Sequence, residues 1–148
     1  MTLPDLLDAW RTNNAVNLRL LSLCGDETFE LKPGKGKTVR SNWVHIVGVR
    51  RMHLEESFRK EAGAIPKLDW KTASREEIAA ALDVSCELSC LLFEKLDAKP
   101  TRWTAAKYFG YAVAHEAHHR SQIEIALRLG AAELSEEDMF SLWNWPKM

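Results

Sequence analysis

Four long stretches of this chain place apolar residues at helical spacing, and glycine and proline interrupt the pattern between them. The first runs from Leu3 to Leu23 through Leu6, Leu7, Trp10, Leu18, Leu20 and Leu21, and Thr2-Leu3-Pro4-Asp5 has the form of a capped helix start. The second runs from near Thr38 to Ala62, carries Trp43, Ile46, Val47, Leu54 and Phe58, and stops at Gly63. Ser74-Arg75-Glu76-Glu77 fits a capping box ahead of a third helix, from about Arg75 to Leu96. The fourth spans Thr104 to Leu129, with Gly130 placed as its C-terminal stop. No run of strands and no internal repeat accompanies these segments. The expected fold is therefore all-α, a four-helix bundle formed by residues 1–148 as one domain. Connections of roughly ten or more residues after the first two helices leave the topology open. The closing Leu142-Trp143-Asn144-Trp145-Pro146 is expected to fold back as a short helix or extended segment, its tryptophans packed in the core or an interface.

Composition narrows the function classes. A chain of 148 residues, 46 % of them apolar, is long enough to bury a real core. Its formal net charge of −1 gives no basic excess to neutralise nucleic-acid phosphates, which disfavours a DNA or RNA partner. No apolar stretch approaches the ~20 residues needed to span a bilayer, and Met1-Thr2-Leu3-Pro4-Asp5 does not begin a signal peptide, so a cytoplasmic protein with no membrane role is expected. Cys24, Cys86 and Cys90 form an odd set without a disulfide pattern. They read as reduced, buried thiols rather than metal ligands. Lys32-Pro33-Gly34-Lys35-Gly36-Lys37 lacks the full phosphate-loop pattern and reads as a cationic loop.

All five histidines fall in two of the helices: His45 and His53 in the second, His115, His118 and His119 in the fourth. At about 100° per residue, His115 and His119 share a face with Ala105, Tyr108, Ala112, Ile123 and Ala126, the face expected to look inward. His118 points to the flank. Two imidazoles one turn apart are costly to bury without partners, and a metal ion removes that cost. A third nitrogen from the second helix, where His45 lies among Val49 and Met52, would leave coordination positions open, as in catalytic zinc sites. Core histidines bonded to backbone or hydroxyls are the alternative. His115-Glu116-Ala117-His118-His119 also satisfies the H-E-x-x-H pattern of zinc peptidases, but no further histidine motif and no strand to hold a peptide follows. Glu116 reads either as a base or metal-site partner, or as a solvated glutamate paired with Arg120. One Glu-x-x-His unit, with no second on the other helix, argues for a single ion rather than a carboxylate-bridged pair.

Three segments together carry a family resemblance: Asn42-Trp43-Val44-His45-Ile46, His115-Glu116-Ala117-His118-His119-Arg120-Ser121-Gln122-Ile123, and Leu142-Trp143-Asn144-Trp145-Pro146. Over nearly its whole length the chain resembles the DinB-like (DinB/YfiT-like) superfamily of metalloenzymes, with Ser121 where the H-x-x-x-H-R-G-Q-I signature commonly has glycine. The resemblance implies a four-helix bundle, a homodimer, and one divalent ion on His45, His115 and His119, selecting His45 over His53. It implies zinc or nickel, although iron and other ions also suit imidazole. It further implies a pocket beside the metal and a low-molecular-weight thiol or other small molecule as partner. The expected function is a metal-dependent small-molecule enzyme, S-transferase-like or hydrolytic, with Glu116 and Gln122 as groups beside the site. The alternative is a non-enzymatic stress-response or interaction protein with a structural metal.

Overall fold

The computed structural model describes residues 1–148. Each long helix begins where a hydroxyl satisfies a free backbone N–H. Thr2 and Asp5 form a reciprocal capping box that opens α1 (Leu3–Leu23). Thr38 accepts from the Ser41 N–H at the start of α2 (Val39–Glu55), and a four-residue α3 (Arg59–Ala62) follows. Ser74 and Glu77 make a second capping box ahead of α4 (Arg75–Ala98). Thr104 caps α5 (Ala105–Leu129), which Gly130 closes, and Ser135 caps the short α6 (Glu136–Ser141). No strand is present, so the all-α expectation holds.

The stretch from Thr38 to Ala62 is not the single helix its periodicity suggests. It breaks after Glu55, and Phe58 adopts a non-helical backbone (φ −138°, ψ 54°). His53 already packs level with Tyr108, near the N-terminus of α5, at a ring-centroid distance of 5.1 Å. The helix ends level with the start of α5. The chain turns back instead, laying Phe58 against the core and burying Ala62 and Ile65 completely.

Pairings between helices fix their directions. Trp10 Nε1 donates to the Cys86 carbonyl, Arg11 pairs with Glu87, and Asn14 Nδ2 donates to Asp83, so α1 runs antiparallel to α4. Arg40 reaches the Ala73 carbonyl and Arg50 reaches the Leu82 carbonyl, so α2 and α4 run the same way. His45 lies against His115 and His119 while His53 lies against Tyr108, so α2 and α5 are antiparallel. The long helices therefore run up, down, down, up. Residues 56–74 return the chain along the full helix length, which explains why that connection is long. Because α1 and α2 each pack on both α4 and α5, they sit at opposite corners.

One connected set of buried apolar side chains fills the interior, led by Trp10, Trp43, Tyr108, Phe29 and Phe93. In the tail, Arg19 holds α6 through Ser141 and Asp138, each at 3.0 Å. Leu142 is buried and Trp145 half-buried against the core, as expected, but Trp143 is 76 % exposed. No helix is long and apolar enough to cross a membrane.

Candidate metal centre

Antiparallel packing of α2 on α5 brings His45 against His115 and His119, which lie one turn apart on α5. His45 and His119 ring centroids are 4.6 Å apart, His115 and His119 4.6 Å, and His45 and His115 5.3 Å. One nitrogen from each of the three lies within 4.8 Å of the others, an arrangement that can hold a metal ion. A tetrahedral ion with Zn–N bonds of about 2.0–2.1 Å spans nitrogens about 3.4 Å apart, so modest ring rotations close the set. No carboxylate or thiol joins them.

Asn42, one turn before His45, prepares the set. Its Nδ2 donates to the Thr38 and Lys37 carbonyls at 3.0 and 3.3 Å, which identifies Oδ1 as the atom facing His119 Nδ1 at 2.7 Å. His119 Nδ1 therefore carries the proton and donates, leaving the Nε2 lone pair free for a cation. This is the usual way a metal-binding imidazole is oriented. Burial lowers the pKa of all three histidines; for His119, with the neighbouring His115 and His45 adding to the effect, it falls to about 4. The imidazoles stay neutral near pH 7, the form a cation needs. Tyr111 stacks on His115 with centroids 5.8 Å apart and covers one side of the site.

The remaining histidines lie elsewhere. His118 is exposed and outside the converging set, as its helical phase predicts. His53 sits two turns beyond His45, packed edge-on against Trp103, Tyr108 and Tyr111. Met52 is half exposed, so the inward face of α2 is the one carrying Asn42, Ile46 and Arg50 rather than the one carrying Met52. Burial pushes the Cys24 and Cys86 thiols up to about 12 and raises Cys90, so all three remain protonated and unsuited to ligate.

Glu116 departs most from the sequence reading. It is 2 % exposed, not solvated, and its ion-pair partner is Arg50 rather than Arg120. Arg50 grips it from both sides, Nε to Oε1 at 2.7 Å and Nη2 to Oε2 at 2.9 Å, while Asn13 and Asn17 each donate to Oε2 at 2.7 Å. Burial alone would raise the Glu116 pKa; Arg50, Asn17 and Asn13 together hold it below its ordinary value. A carboxylate so engaged is a poor proton acceptor. Arg120 instead donates to Asn13 and Asn17, and Arg50 also reaches Asn14, Ser85 and the Leu82 carbonyl. The network joins α1, α2, α4 and α5 at the turn of α5 that carries His115 and His119. Gln122 is half-buried on the same helix.

Asn42 and Arg50 carried no signal of their own in the sequence. The nearest hint was Asn13, Asn14 and Asn17 clustered in an otherwise good helix, since asparagine is a weak helix former and needs a reason to be there. Set against protein-family models, curated proteins and solved structures, the chain matches none.

Proposed function

We propose that this chain is a DinB-like four-helix-bundle protein that holds one divalent ion, zinc or nickel, on His45, His115 and His119 and acts on a small molecule. The convergence of three neutral imidazole nitrogens from α2 and α5, with no fourth protein ligand beside them, carries this reading. Four protein ligands would close the shell around a structural ion, whereas three leave room for an exchangeable partner. A divalent ion on three neutral nitrogens supplies Lewis acidity that favours the ionised form of a thiol or of water near neutral pH.

The chain's own residues supply the rest. Asn42 fixes the His119 tautomer, Tyr111 shields one face of His115, and the Arg50–Glu116 pair braces α5 from behind. Of the two reaction classes in this reading, thiol transfer is the more direct to test. Protein loaded with zinc or nickel is incubated with a low-molecular-weight thiol and a small electrophile, and thiol consumption is followed against His119→Ala. The proposal expects consumption by the loaded wild type alone. Equal rates in the variant would remove the metal from the chemistry. No thiol-dependent or hydrolytic turnover, combined with a large loss of thermal stability in chelator, would leave a structural ion. In the same reading the protein is a cytoplasmic homodimer, which light scattering tests by mass.

A further inference from the structure

A cavity of about 450 Å³ opens at the C-terminal end of α2, beside His53. Its volume falls in the range of small-molecule sites. His53 lies eight residues beyond His45, a rise of about 12 Å along the helix, with Tyr111 packed between it and His115. His53, Trp103 and Tyr108 form an aromatic wall, backed by the buried Leu92 and Leu96. Lys95, Lys99 and Arg102 stand at its rim, all exposed, against one acidic side chain, Glu56, which meets Arg102 only at 3.8 Å. The lining thus carries three cations against one anion.

Two polar atoms in the same wall lack partners. His53 Nε2 and Trp103 Nε1 are both buried from water, and neither makes a hydrogen bond. Such groups are uncommon in native interiors, because they lose their hydration and gain nothing in return. A tryptophan N–H can only donate, and a neutral imidazole donates from Nε2 in one of its two tautomers. Burial keeps His53 on the neutral side of its ordinary range. An indole donor without an acceptor, beside an imidazole nitrogen that donates in its Nε2-protonated tautomer, on an aromatic wall under a cationic rim, suits a flat apolar body bearing a negative oxygen.

We propose that this cavity is a binding site for a small aromatic carboxylate, held by Trp103 and His53 through its oxygens and by Lys99 and Arg102 through its charge. A slight opening of the two rings exposes their nitrogens to the bound carboxylate. The site does not depend on the metal centre, and its test separates the two. Benzoate is titrated into the full-length protein by calorimetry, with benzyl alcohol as the uncharged counterpart and inorganic phosphate as the anion without a ring. The expected result is saturable one-to-one binding of benzoate, at least tenfold weaker binding of benzyl alcohol and of phosphate, and at least a tenfold loss with Lys99→Ala/Arg102→Ala. Those two side chains are exposed, so the double variant should keep the wild-type circular dichroism. Trp103→Phe, which keeps the wall and removes only the N–H, should also weaken binding. Benzoate affinity should persist in His119→Ala, whose metal site is broken. Absence of saturable benzoate binding, undiminished binding in the double variant, preference for phosphate, or loss of binding in His119→Ala would each overturn the proposal.

Discussion

Asn42 orients His119, one of the three candidate ligands, without being one itself. Its carbonyl oxygen sets which nitrogen of His119 is protonated, so Asn42→Ala should weaken zinc or nickel binding about 10–100-fold while the fold is retained, as read by competition against a chromogenic chelator. The imidazoles also make the metal-free protein sensitive to acid. His119 titrates near 4 in the folded protein against an ordinary value of 6.5, so between those values the unfolded chain binds more protons than the folded one. Stability of the chelator-treated protein should therefore fall as pH drops from about 6.5 toward about 4, and His119→Gln should flatten that slope in thermal melts. Behind the site, Arg50→Met would leave Glu116 charged, buried and without its cation. The cost should be about 3–5 kcal/mol in denaturant unfolding. His115 and His119 were legible because four-residue spacing alone puts two side chains on one helix face. Asn42, Arg50 and Glu116 were not, because an inward polar residue is explained only by partners on other helices, which spacing cannot supply.

Among the elements, the clearest sequence signals were the ends. Thr2, Thr38, Ser74 and Thr104 each accept from the backbone N–H three residues on, and Gly130 closes α5, so four helix starts and one stop follow from local chemistry. Ser74→Ala breaks a reciprocal cap on α4, which packs against α1, α2 and α5, and should cost about 1 kcal/mol by chemical denaturation, with metal affinity unchanged. The break between α2 and α3 escaped periodicity because apolar residues continue through Phe58 and Ala62 in step with a helix. α2 ends level with the start of α5, a tertiary position that local pattern does not carry. The direction of α4 was likewise invisible locally. A return segment of residues 56–74 is compatible with either direction until Arg50 is seen to reach Leu82 and Ser85.

Across the whole molecule, α2 and α5 are joined by the Arg50–Glu116 ion pair in the interior and by the Asn42–His119 hydrogen bond beside the imidazole set. An ion bound only by the folded protein stabilises it by mass action, about 2.7 kcal/mol when free metal is 100 times the dissociation constant. The measurement that bears most directly on the site is metal content by elemental analysis after reconstitution with zinc or nickel and removal of excess ion, on protein purified without an affinity tag. The wild type should retain one ion per chain, and His45→Ala, His115→Ala and His119→Ala should each retain close to none. An empty wild type, or full occupancy in any of the three variants, would contradict a single ion held by these three histidines.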